Sequence, residues 1–312
     1  MNIGQALKEA GRVATGMARQ VPVVGAVFDR NDRIDLNGKV VFVTGAARGI
    51  GAEIARQAIA KGACVALVGR TLGPLEKLAA ELGDNAAAFK ADVADYDALA
   101  EAAEATIERF GGIDVVVANA GIAPPPDTLL TIDPKEFERG IDIDLMGQWR
   151  TIRATLPSIV KRQGHVVVVS SIYAFFNGAL NSPYAASKAA IEQLTRALRV
   201  ELAHYGATAG VVYPGFIQTD MAEQTFAIDH IDEARKALPA MFTDPIPVED
   251  IVRAIITGIE RRSPRVAAPW WVLPMLQLRG VVTNLMDESM VHNAALSKAI
   301  ERAESKKQHD RG

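Results

Sequence analysis

What most restricts the fold of this chain is a series of short Val-, Ile- and Ala-rich runs with almost no polar alternation. They fall at residues 39–44, 64–69, 86–90, 113–118, 165–170, 208–213 and 265–268. A strand with one face in water alternates apolar and polar residues, whereas a strand covered on both faces does not. Between them lie helix-length segments such as 50–61, 96–110 and 185–202. Strands that alternate with helices pair in parallel through right-handed crossovers. The expected architecture is therefore α/β: a doubly wound, seven-stranded, mostly parallel sheet with helices on both faces. Ligands of such sheets sit beyond the carboxyl ends of the strands, so chemistry is sought in the loops that follow them.

The first run, Val40-Val41-Phe42-Val43, feeds Thr44-Gly45-Ala46-Ala47-Arg48-Gly49-Ile50-Gly51 and then a helix pattern. Glycines at a strand-to-helix turn permit a tight bend and close approach of a pyrophosphate. The helix start adds free N–H groups and a positive dipole end. A glycine trio alone is a weak signal; its position between strand and helix makes this a Rossmann-type dinucleotide loop. The second strand ends Val68-Gly69-Arg70-Thr71, where a site for NAD(H) would carry an acid. Arg70, with Arg48, suits a 2′-phosphate through forked hydrogen bonds, so NADP(H) is expected in preference to NAD(H).

The fifth run ends in Ser170-Ser171, and Tyr184-Ala-Ala-Ser-Lys188 opens the next helix pattern. A spacing of four puts Tyr184 and Lys188 on one helix face. An ammonium there favours phenolate and lowers the tyrosine toward working pH, which suits a proton shuttle to a substrate oxygen. Ser171 is placed to donate a hydrogen bond to the same oxygen.

On these residues the chain resembles the short-chain dehydrogenase/reductase family in its single-domain branch, over about residues 37–265. The glycine spacing Thr44-Gly-x-x-x-Gly-x-Gly51 is similar to that branch. The resemblance implies Ser171, Tyr184 and Lys188 as catalytic residues. It implies Asp92 and Val93 as adenine contacts. Asn119-Ala120-Gly121 would steady the central sheet beside the cofactor, and Pro214, Gly215, Ile217 and Thr219 would cradle the nicotinamide carboxamide. Together with Gly45, Ala47, Arg48, Gly49, Ile50, Gly51, Arg70, Thr71, Tyr184 and Lys188, these form the expected cofactor site. Two positions depart from the family pattern. Ala118 stands where a second Asn is common, and Asp144 stands where the family has its fourth catalytic residue, an Asn. In the family the main-chain carbonyl at that position holds a relay water. A carbonyl survives the change, so Asp144 is kept in the expected catalytic set and activity is expected to persist. The resemblance also implies a homo-oligomer, dimer or tetramer, paired through residues 185–202 and 137–160.

The loops 172–183, 122–128 and 221–247 are the expected substrate side. They carry Ile172, Tyr173, Phe175, Phe176, Phe226, Met241 and Phe242, which lean toward an apolar carbonyl or alcohol such as a steroid, retinoid, terpenoid or fatty-acyl compound. The same aromatic residues are equally able to pack their loops onto the core. Within the oxidoreductases, a 3-oxoacyl-carrier-protein reductase is the alternative. A non-catalytic NADP(H) sensor would not need the Ser/Tyr/Lys set. A methyltransferase would want an acid where Arg70 stands.

Composition excludes other classes. A net charge of −3 gives no electrostatic case for nucleic acid, and a single cysteine with five scattered histidines argues against a metal site. The lone thiol fits a reducing, cytoplasmic setting, and no apolar run is long enough to span a bilayer. The expected domains are an N-terminal helical extension (1–36), the NADP-binding catalytic domain (37–265) and a C-terminal extension (266–312). Ile3, Leu7, Ala10, Ala14 and Met17 form a helical stripe flanked by Lys8, Arg12 and Arg19. Docking on the chain's own domain or a partner subunit and peripheral membrane contact are both open to it. Trp270 and Trp271 are expected to cap the substrate pocket, fill a subunit interface or sit at a membrane interface. The polar stretch 296–312 is expected to fray.

Overall fold

In the computed structural model, residues 33–228, 231–232 and 243–309 are described. The stripe at 2–18, with Met241 and Phe242, falls outside them. The strands form at β1 (Val40–Thr44), β2 (Cys64–Gly69), β3 (Ala86–Lys90), β4 (Val115–Ala118), β5 (His165–Val169), β6 (Thr208–Pro214) and β7 (Arg265–Ala268), within two residues of the sequence expectation. All pairings are parallel, in the order β3-β2-β1-β4-β5-β6-β7. The chain leaves β1 toward one edge and returns to β4 beside it, which opens the crevice where doubly wound sheets bind ligands.

The two-residue side-chain period explains why the runs are apolar throughout. Val41, Val43, Val65, Leu67, Val115, Val117 and Val167 point into one core with Ile54, Ile251 and Ile255. Phe42, Ala66, Val68, Val116, Ala118, Val166 and Val168 point into the other with Leu99, Ile152 and Ile191. The helices that supply these layers are α1 (Gly49–Ala60), α2 (Leu72–Leu82), α3 (Tyr96–Phe110), α4 (Pro134–Ile141), α5 (Gln148–Lys161), α6 (Ser182–Ala203), α7 (Asp220–Phe226) and α8 (Val248–Glu260). A π-helical turn, Asp142–Gly147, joins α4 to α5.

The start of β1 is held by Asp114, whose carboxylate accepts the Val40 N–H at 3.0 Å and a forked pair from Arg162, both at 3.0 Å. At the start of β5, His165 is fully buried against Thr208, 2.8 Å away, and burial pushes its imidazole down to about 3. Both lie at the amino ends of their strands, opposite the cleft.

After β7 come α9 (Val272–Gln277), α10 (Arg279–Val291) and α11 (Ala294–His309). The expectation that residues 296–312 fray is corrected over residues 296–309, because Leu296, Ala299, Ile300 and Ala303 recur at helical spacing and pack on Leu180; residues 310–312 lie outside the described residues. Among the described residues no helix is long and apolar enough to cross a membrane.

Candidate active site

One cleft of about 660 Å³ runs along the carboxyl ends of the strands. At its floor, β1 turns into α1 through Gly45 (φ +67°) and Gly49 (φ +56°), left-handed conformations that disfavour side chains. Gly51 is needed for a different reason: a Cβ there would lie 2.3 Å from the Gly45 carbonyl oxygen. Among the described residues no side chain caps α1, so its first-turn N–H groups have no side-chain acceptor there, whereas Asp95 and Asp133 cap α3 and α4. Such an uncapped N-terminus beside a glycine turn is suited to a phosphate. Asn119 locks this turn to β4, its Nδ2 donating to the Thr44 carbonyl at 3.0 Å. The Thr44 hydroxyl accepts the Asn119 and Ala120 N–H groups at 3.2 and 3.3 Å.

Every expected cofactor residue borders the cleft except Gly51, which sits just behind it within α1. Arg70 is exposed at the end of β2, with no partner among the described residues. Arg48 is exposed as well and meets Asp220 at 3.3 Å.

Deeper in, Ser171 follows β5 and Tyr184 and Lys188 occupy the first two turns of α6. Lys188 is buried, donates to the Val169 carbonyl at 3.1 Å, and lies 5.2 Å from the centre of the Tyr184 ring. Gln148, which the sequence reading missed, donates to that same carbonyl at 3.0 Å. Ser170 is tied to the Lys188 carbonyl at 2.8 Å, which fixes α6 against β5.

Asp144 does not border the cleft. It is fully buried on the π-helical turn behind Gly121. Its Oδ1 accepts the Ile122 N–H at 2.7 Å, and its Oδ2 has no hydrogen-bond partner among the described residues. A Cβ on Gly121 would fall 2.8 Å from Asp144 Oδ1 and 3.6 Å from Lys188 Nζ, so this glycine lets carboxylate and ammonium approach. Burial pushes the Asp144 carboxyl up to about 6, opposed by the Lys188 ammonium and the Ile122 N–H. Lys188 is pushed down by burial and held up by Asp144.

The expectation that Lys188 lowers the Tyr184 phenol is corrected by this surrounding. Burial raises the phenol, Asp144 raises it further, and the hydrogen bond with Ser171 pulls only partly the other way. Tyr184 is thus a protonated phenol at neutral pH.

Of the expected substrate residues, Ile172, Tyr173 and Phe226 border the cleft, as does Ile122 of the expected loop 122–128. Phe175 and Phe176 do not; they pack with Tyr213 and Trp271. Trp271 is buried there, stacked on Phe176 with ring centres 6.1 Å apart, while Trp270 is 77% exposed. Neither tryptophan borders the cleft. Residues that do, unforeseen in the sequence, include Phe216 and the C-terminal Met290, Asn293 and Leu296. The helical spacing of Leu296, Ala299, Ile300 and Ala303 was the signal that could have found the last group.

A glycine turn at an uncapped helix start, an arginine at the end of β2 and a Ser/Tyr/Lys cluster on one cleft are the arrangement of a dinucleotide-fold oxidoreductase. Residues 39–229 match the short chain dehydrogenase family. The chain belongs to that family, the short-chain dehydrogenases/reductases, and is an NAD(P)-dependent oxidoreductase acting on CH–OH groups. It is 35% identical to oxidoreductase UcpA of Salmonella typhimurium over 229 residues, 72% of this chain and 86% of that protein. It is 33% identical to the 3-oxoacyl-[acyl-carrier-protein] reductase FabG of Vibrio cholerae over 191 residues, 61% of this chain and 78% of that protein. A crystal structure of 3-ketoacyl-(acyl-carrier-protein) reductase from Brucella melitensis complexed with NADH superposes with a TM-score of 0.66 at 25% identity. That match covers 75% of this chain and 97% of the other.

Proposed function

We infer that this protein interconverts an apolar ketone or aldehyde and the matching alcohol with NADP(H), working through Ser171, Tyr184, Lys188 and Asp144. The observation that carries the reading is the buried Lys188 beneath the Tyr184 ring, with Ser171 bordering the same cleft. The bound dinucleotide supplies or takes up the hydride. The uncapped start of α1 and the turn from Gly45 to Gly49 fit its pyrophosphate, and Asp92, Val93, Asn119 and the Pro214–Thr219 segment fit its two ends.

In the reducing direction Tyr184 donates its proton to the substrate oxygen as that oxygen gains negative charge. Ser171 donates a hydrogen bond to the same oxygen, and the Lys188 ammonium steadies the phenolate left behind. Asp144 opposes the loss of charge that burial imposes on Lys188. Arg70, exposed at the end of β2 and without a partner among the described residues, supports NADP(H) over NAD(H). Tyr173, Phe216 and Phe226 support an apolar substrate. They form an edge-to-face chain from Tyr184 outward, with ring centres 5.8, 6.5 and 5.3 Å apart in succession. A homo-oligomer paired through the face of α5 and α6 goes with this reading.

The test is a screen of apolar ketones and alcohols with NADPH and NADP⁺, followed at the nicotinamide absorbance, with Tyr184→Phe alongside. The variant is expected to lose roughly 10²–10⁴-fold in turnover while retaining dinucleotide affinity. A variant as active as the parent refutes the assignment. Likeness to the Vibrio and Brucella enzymes favours a second reading, a 3-oxoacyl-carrier-protein reductase. A carrier-borne 3-oxoacyl thioester turned over far better than any free ketone decides for it.

A further inference from the structure

Helices α10 and α11 lie beyond the family match at 39–229, yet they reach the cleft that holds Tyr184. Two polar anchors hold α10 in place. Arg279 Nη1 meets both carboxylate oxygens of Glu192, at 2.8 and 2.9 Å, and Glu192 is a buried residue of α6, the helix that carries Tyr184 and Lys188. Asn177, in the loop after Ser171, donates from Nδ2 to Asp287 Oδ1 at 3.0 Å. The chain then reverses, and Asn293 caps α11 by accepting the Ala295 and Leu296 N–H groups at 2.9 and 3.0 Å. That reversal brings Met290 and Leu296 onto the cleft. Behind Leu296 a small core of Leu180, Ile231, Ala299, Ile300 and Ala303 sets its position.

The cleft therefore has two apolar sides. One is the aromatic chain that starts at Tyr173 beside Tyr184. The other is aliphatic, built from Leu180, Ile231, Met290 and Leu296. Aliphatic side chains held by a satellite core form a surface that an extended hydrocarbon can lie on, and methionine adapts to its shape.

We propose that α10 and α11 form the far wall of the substrate pocket, and that Met290 and Leu296 select for length in the apolar part of the substrate. The inference rests on the reading of this cleft as a carbonyl and alcohol site. It names the substrate class as aliphatic carbonyl compounds whose chain extends past the aromatic side.

The experiment uses the full chain and a series of methyl ketones from butanone to decanone. In the parent, kcat/KM rises with chain length. Leu296→Ala and Met290→Ala each lower the decanone-to-butanone ratio of kcat/KM by about ten-fold, the scale of a lost aliphatic contact in a hydrophobic pocket. Leu296→Met, which conserves volume, restores most of the ratio. Leu285→Ala, on the exposed side of α10, leaves it at the parental value. A parent without chain-length preference, or alanine variants with the parental ratio, overturns the proposal. If the parent reduces no methyl ketone at all, the free-ketone reading fails, and the wall is then read by displacement of anilinonaphthalene sulfonate with decanone. Displacement weakened in Leu296→Ala supports the wall; equal displacement in parent and variant overturns it.

Discussion

Asp144→Asn isolates the consequence of a buried carboxylate behind Gly121 and beside Lys188. The Asp144 carboxyl is fully buried and titrates at about 6, against 3.8 for the unperturbed group, with burial as the main cause. Its folded-state value lies above the unfolded one, so the neutral form belongs to the fold. Its contribution is fully present below about 3.8 and is lost as pH rises through about 6. Two units at about 1.36 kcal/mol each mean that the ionised group costs about 3 kcal/mol at about pH 8, falling to about 1 kcal/mol at about pH 4.5. Asparagine retains an oxygen for the Ile122 N–H but adds a pH-independent term from its new amide. The informative quantity is therefore a double difference. Between these two pH values the stability of Asp144→Asn relative to the parent should rise by about 2 kcal/mol, read from urea denaturation. Losing Asp144 also lowers Lys188, which acts in the same direction. A double difference near zero, or of opposite sign, refutes the buried-charge argument. Kinetically, the variant's phenol is lower, so its limb of alcohol oxidation that rises with pH should move to lower pH. An inactive parent with an active variant would show that Asp144 is incompatible with turnover.

Arg70→Ala should lower NADPH affinity relative to NADH by about ten- to hundred-fold, the scale of hydrogen bonds to a charged group, as measured by fluorescence titration. Arg48→Ala should have the smaller effect, since Arg48 already meets Asp220. In Gly51→Ala the new Cβ meets the Gly45 carbonyl oxygen at 2.3 Å, which forces the turn to shift. It should lose about 1–3 kcal/mol of stability in thermal melts, with weaker dinucleotide binding. His165, held down to about 3 by burial, contributes stability that is fully present above its ordinary 6.5 and is lost as pH falls toward 3. His165→Asn should therefore lose about 2 kcal/mol less than the parent between about pH 7 and about pH 5 in denaturant titrations. An identical acid slope in the two proteins would rule out a buried neutral imidazole.

Much of this protein was legible as sequence because its constraints are local. A strand buried on both faces has to be apolar at every position, so the Val and Ile runs marked the strands almost to the residue. The Gly45–Gly51 turn and the four-residue spacing of Tyr184 and Lys188 are likewise properties of a few consecutive residues. What surrounds Tyr184 is not. Its proton is held by burial and by Asp144, a residue forty positions earlier that Gly121 lets approach Lys188. A reading confined to Tyr184 and Lys188 therefore gave the opposite direction for the phenol. The far wall was hidden for the same reason. Met290 and Leu296 become pocket residues only because Arg279 meets Glu192 and Asn177 meets Asp287 across more than eighty positions of chain. Periodicity can reveal a helix, but which cleft the helix closes is decided by long-range contacts that exist only once the sheet has brought its loops together.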